Sequence, residues 1–215
     1  MLVDLRLQIV YLALVCGLLG LFVINKLPNL KAKSTLFSIW FCFLIEFMGI
    51  HFKDWTGLVN FPIFNLYILI IFLYYLVLLR LLLKKIVNQI LATFSLFIFV
   101  GFYFIDAIFI QNSIVALYTN SYAVGVVVFL FISCLYLFEI FNSVQILNFK
   151  KSIYFWFILG ALLFHISFLP YLLAINLFLL KNVESIFNIV LFVLNLLMYS
   201  CFAIGFIWSE KKYNY

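Results

Sequence analysis

The chain has 215 residues, of which 69% are hydrophobic and 21% aromatic, only 9% are charged, and the formal net charge is +6. So few charges cannot cover a globular surface of this size, and with a mean hydropathy of +1.30 the composition excludes a water-soluble domain. The basic residues lie in twos and threes between apolar runs, a pattern of membrane topology and not of a nucleic-acid surface.

A membrane span needs roughly 20 apolar residues with few charges, and seven such stretches follow one another. The first, residues 7–24, comes after Asp4 and Arg6. It is longer than a signal-peptide core and no A-x-A cleavage site follows, so it is expected to stay in the mature protein. A polar connector, 25–35, with Lys26, Pro28, Lys31 and Lys33, leads to the second span, 36–52. After the turn Lys53-Asp54-Trp55-Thr56-Gly57 comes the third, 61–83, closed by Arg80, Lys84 and Lys85. The fourth, 90–110, is joined by the uncharged stretch 111–121 to the fifth, 122–144. Lys150 and Lys151 precede the sixth, 153–173. A polar turn with Lys181, Asn182 and Glu184 leads to the seventh, 186–208, and a tail of Ser209 to Tyr215.

Because lipid offers backbone groups no partners, every span is expected to be helical. The predicted fold is all-α: a polytopic integral membrane protein with one seven-helix transmembrane domain over 1–215. Ten Lys and Arg residues lie in the connectors after spans one, three and five and in the tail, against three (Arg6, Lys53 and Lys181) on the other side. The positive-inside rule then places the N-terminus outside and the C-terminus in the cytoplasm.

On that topology the hairpin of spans two and three carries Glu46, roughly 9 Å below the outer surface at 1.5 Å per residue, and Asn65. Asp106, His165 and Asn188 also fall in outer halves. Polar groups at membrane depth either line a wet pocket or hydrogen-bond helix to helix, and both readings fit these five. Helical spacing aligns Ser38, Cys42, Glu46 and Gly49 on one face, Ser95, Tyr103 and Asp106 on another, and Asn188, Asn195 and Tyr199 on a third. A separate inner cluster is expected at Tyr136, Glu139, Asn142 and Ser143. There Glu139 would snorkel, pair with Lys150 or Lys151, or connect the outer pocket to a partner surface.

Several chemistries lack their residues. The last span has no lysine for a retinal Schiff base. Histidines occur only at His51 and His165, without HExxH spacing; a site with Glu46 and Asp106 is conceivable, but no metal, cofactor or enzymatic activity is expected. Neither GxSxG, a P-loop nor GxGxxG appears. Cys16, Cys42, Cys134 and Cys201 all sit in apolar runs, as packing or lipid-facing residues and not as a disulfide framework.

The segments Ile45-Glu46-Phe47-Met48-Gly49, Asn65-Leu66-Tyr67 with Phe72-Leu73-Tyr74-Tyr75, and Phe155-Trp156-Phe157-Ile158-Leu159-Gly160 with Leu163-Phe164 resemble a family of uncharacterised seven-span membrane proteins of Bacteroidota. The resemblance implies a bacterial inner-membrane protein whose gene lies beside sensor histidine kinases, hence a kinase or other membrane partner. Members more often carry Tyr where His165 stands. The leading expectation is a sensor or signalling accessory protein that binds a small ligand in a pocket of Glu46, Asn65, Asp106, His165 and Asn188 and acts through a partner. A small-solute or proton-coupled transporter, with Glu46 and Glu139 as protonatable steps, is the alternative. It draws on Ile-Phe-Asn opening spans three and seven (Ile63 to Asn65, Ile186 to Asn188), as a three-one-three repeat would place them. An accessory or pore-forming membrane effector of a type VI-B CRISPR locus is the third. Beyond the bilayer, a small ligand and a membrane partner, no nucleic acid is expected.

Overall fold

A computed structural model describes the backbone of residues 2–111, 116–178 and 183–214. Seven α-helices run through them: α1 (Leu2–Phe22), α2 (Leu30–Thr56), α3 (Phe61–Leu82), α4 (Ile86–Ile105), α5 (Thr119–Phe141), α6 (Ile153–Phe178) and α7 (Val183–Trp208). Among the described residues there is no strand, and each helix is long and apolar enough to cross a membrane. Lys181, Asn182 and residues 112–115 of the expected connectors lie outside the described residues, as does the side chain of Glu184.

Helix ends differ from the apolar limits where polar residues can satisfy themselves inside a helix. Residues 30–35, expected as connector, form the first turns of α2. Asn29 Oδ1 accepts the Ala32 N–H at 2.9 Å, capping the helix. The hydroxyls of Ser34, Thr35 and Ser38 turn back to carbonyls three residues earlier, at 2.7, 2.7 and 2.8 Å. At the far end the expected turn Lys53 to Thr56 is the last turn of α2. The chain leaves it at Gly57, whose φ of 72° and N–H to the Lys53 carbonyl at 2.8 Å form a glycine helix stop. Beyond Ile105, α4 widens into a π-helical turn, Asp106–Ile110, closed by the Gln111 N–H on the Asp106 carbonyl at 2.8 Å. α6 continues through Pro170 to Phe178.

The helices gather as two compact units, Met1–Ile50 with Leu147–Tyr215, and His51–Ile146. In the first, α7 packs against α6 and against α1. The helices approach closely at glycines: a Cβ on Gly160 would stand 2.9 Å from the Met198 carbonyl oxygen, and one on Gly17 3.0 Å from the Trp40 ring. In the second, α3, α4 and α5 pack on one another. Its core is aromatic, with the fully buried Phe72 edge-on to Phe99 and Tyr122 at 5.6 Å each and Tyr75 stacked on Phe129 at 4.7 Å.

Candidate functional site

In the first unit α1 and α7 run parallel, as two contacts fix: Cys16 Sγ donates to the Tyr199 carbonyl (3.8 Å), and Arg6 Nε to Asn188 Oδ1 (2.9 Å). Asn188 is buried whereas Arg6 is exposed, so the guanidinium closes a polar interior position from the surface. Glu46, half-buried on α2, lies within electrostatic reach of Arg6. Arg6, which the sequence reading counted only as a topology charge, thus bonds one expected site residue, Asn188, and lies within electrostatic reach of another, Glu46. His165 is buried on α6, its ring edge-on to Phe164 at 5.1 Å. Asn195, placed on the same stripe as Asn188, donates instead to the Leu191 carbonyl of its own helix at 2.9 Å.

In the second unit the expected polar residues each bond the chain's own backbone, Asp106 and Glu139 with side-chain partners as well. Asp106 is fully buried. Its carboxylate accepts the Ser121 N–H at 3.0 Å, the Ser121 hydroxyl at 2.6 Å and Asn120 Nδ2 at 3.3 Å. Ser121 lies in the first turn of α5, so a negative charge from the end of α4 meets free N–H groups and the positive end of the α5 dipole. Asn65 holds the segment before α5: Oδ1 accepts the Tyr118 N–H at 2.8 Å, Nδ2 donates to the Ala116 carbonyl at 3.0 Å, and its own carbonyl accepts the Tyr103 hydroxyl at 3.1 Å.

Glu139 follows the same rule. It accepts the backbone N–H groups of Lys84 (2.7 Å) and Lys85 (3.2 Å) and Asn88 Nδ2 (2.6 Å), capping the start of α4 from α5. Snorkelling, pairing with Lys150 or Lys151 and a link to a partner surface are the sequence alternatives for Glu139; the hydrogen bonds described for it run to the start of α4, and Lys151 meets Glu210. Nor do Glu139 and Asn142 turn to one another: Asn142 Nδ2 donates to the Phe138 carbonyl of its own helix at 2.9 Å, and Tyr136 is buried.

A polar knot that sequence reasoning missed ties the other end of the first unit. Asn214 is fully buried. Its Oδ1 accepts the Ile153 N–H at 2.9 Å, its Nδ2 donates to the Lys26 carbonyl at 3.0 Å, and its own carbonyl accepts Asn29 Nδ2 and the Tyr154 hydroxyl, both at 3.1 Å. Lys26 Nζ donates to the last carbonyls of α7, at Phe206 (3.3 Å) and Ile207 (2.6 Å). The Glu210 N–H meets the Lys151 carbonyl at 2.9 Å and its carboxylate the Lys151 ammonium at 2.7 Å. That hydrogen bond and charge hold the Glu210 carboxyl below its ordinary range. The sequence reading leaves Asn29 inside a connector, because it begins the helix at residue 36, and nothing near Asn214 announces these bonds.

Among the described residues no group of three His, Cys, Asp or Glu side chains is placed to hold a metal. The cysteines are free, with Cys16 buried and Cys134 exposed. The chain matches no known family model, no curated protein and no solved structure. The conclusion for this site comes from its own geometry: Arg6 of α1 and Asn188 of α7 meet side chain to side chain at a surface-reaching position, within electrostatic reach of Glu46 on α2.

Proposed function

We propose that the chain is a seven-helix membrane sensor whose ligand site is the Arg6, Glu46 and Asn188 constellation of the first unit. The observation that carries this reading is the Arg6 to Asn188 bond, with Glu46 within electrostatic reach of Arg6. Side-chain partners on separate helices can be exchanged for a ligand's groups, whereas backbone donors at a helix end cannot leave the fold. A small solute with an acceptor for Arg6 and a donor or cationic group for Glu46 replaces these contacts. Because it binds one arrangement of α1, α2 and α7 better than another, it shifts their equilibrium. His165, Asn65 and Asp106, expected in the same pocket, take interior roles in this reading. Among the described residues no domain stands outside the helices and their connectors, so the output passes to a partner protein in the bacterial inner membrane, a sensor kinase being the expected class. A carrier built as a three-one-three repeat gains no support from units that group α1, most of α2, α6 and α7 apart from α3, α4 and α5.

The test is thermal unfolding of the detergent-purified chain against a panel of amines, amino acids and other small polar metabolites, in the wild type and Glu46→Gln. A stabilising ligand whose effect disappears in Glu46→Gln supports the reading. A ligand that stabilises both equally removes Glu46 from the site.

A further inference from the structure

The end of the first unit that holds the Asn214 knot carries more positive charge than its own acids balance. Lys31 and Lys33 lie in the first turns of α2, Lys150 and Lys151 just before α6, and Lys211 and Lys212 just after α7. The one acid described among them, Glu210, lies 2.7 Å from Lys151 and 3.5 Å from Lys212, while Lys212 also covers the Tyr213 ring at 4.8 Å. Lys150 and Lys211, both exposed, have no such acid. The backbone segments that carry them are tied together, because the N–H of Glu210, which precedes Lys211, meets the carbonyl of Lys151, which follows Lys150, and the buried Asn214 follows the 3-10 turn Lys211–Tyr213. Directly beneath lies a tryptophan pair. Trp156 and Trp208 are edge-to-face at 5.8 Å, Trp156 Nε1 donates to the Lys150 carbonyl at 2.8 Å, and Trp208 is 58% exposed. Tryptophan with one apolar body and one polar edge marks the depth where acyl chains give way to headgroups. Lysines immediately beyond that depth meet phosphate.

We propose that this end of the first unit binds an anionic phospholipid headgroup, with Lys150 and Lys211 receiving its phosphate and Trp208 lying against its glycerol and upper acyl region. The Asn214 knot and the Glu210 to Lys151 bond fix the backbone segments that carry the two lysines, without adding charge. The headgroup site rests on the chain crossing a membrane and not on any ligand at Glu46, so the two fail separately.

The full chain in neutral detergent is titrated with phosphatidylglycerol or phosphatidylcholine and its thermal midpoint followed. Phosphatidylglycerol is expected to raise the midpoint more, with the excess falling as salt screens the contact. Lys150→Gln with Lys211→Gln should lose most of that excess and Lys31→Gln with Lys33→Gln little, although both pairs remove the same charge. Asn214→Ala should lose part of it with every lysine in place. Comparing each variant with itself in phosphatidylcholine separates lipid binding from stability. The proposal is overturned by no preference for phosphatidylglycerol, by equal or greater loss from the Lys31 and Lys33 pair, or by inorganic phosphate reproducing the shift in phosphatidylcholine.

Discussion

The polar residues expected at the site stand in apolar helices in both units, and their partners differ. In the second, Asp106, Asn65 and Glu139 each meet backbone groups at the start of a helix or in the segment leading to it. In the first, Arg6 and Asn188 meet through side chains on different helices, with Glu46 within electrostatic reach of Arg6. A polar side chain bound to its own fold's backbone is structural, since removing it leaves a donor of that backbone without its acceptor, a buried one at Ser121 and Tyr118. One held by another side chain can exchange partners. The identity of the partner, not the burial of the residue, separates glue from site.

The largest effect that would break this contrast is at Asp106. Asp106→Ala leaves the Ser121 N–H and hydroxyl without their acceptor, and at about 3 kcal/mol for charge-assisted bonds to a buried group it should lower stability in detergent strongly. Asn65→Ala should cost about 2 kcal/mol by stranding the Tyr118 N–H and the Ala116 carbonyl. Glu46→Gln, by contrast, should change basal stability by under about 1 kcal/mol. If unfolding measurements found Glu46→Gln as costly as Asp106→Ala, Glu46 would be structural too and the contrast would fail.

Packing sharpens the comparison at intermediate size. Gly160→Ala forces a methyl against the Met198 carbonyl and should cost about 1–3 kcal/mol. Gly101→Ala, on α4 with nothing within 4 Å, should be neutral or stabilising by up to about 1 kcal/mol from helix propensity. Equal effects in thermal melts would mean that the α6 and α7 approach is looser than described.

How much of this was legible depends on which physics a residue obeys. The seven helices follow from apolar length alone, and Glu46, Asn65, Asp106 and Asn188 stand out because a polar group in such a run is costly. Their partners do not. Asp106 and Ser121 meet through a turn whose path no periodicity encodes, and Arg6 reads as a flanking charge until α1 is found parallel to α7. Helix ends slipped for a related reason: Lys31, Ser34 and Thr35 look like connector by hydropathy, yet lysine is a good helix former and the hydroxyls bond within the helix. Asn214 was invisible, because a short polar tail gives no sign of what it folds against.

The smallest expected effect concerns pH. Glu210 is held below its ordinary value of 4.5, chiefly by its hydrogen bond to Lys151. A carboxyl depressed on folding adds stability that is present above its ordinary value and is lost as pH falls through the lowered one. On an exposed pair the effect is slight, so the thermal midpoint should fall marginally on acidification below 4.5, and Glu210→Gln should remove that part of the slope.

The most direct measurement is the affinity of one stabilising ligand for three proteins: wild type, Glu46→Gln and Asp106→Asn. An exchangeable site in the first unit predicts at least about a tenfold loss in Glu46→Gln, the worth of one charged contact, and unchanged affinity in any Asp106→Asn that remains folded. Equal affinity in wild type and Glu46→Gln, or a loss at Asp106 as large as at Glu46, would contradict the assignment of the site to Arg6, Glu46 and Asn188.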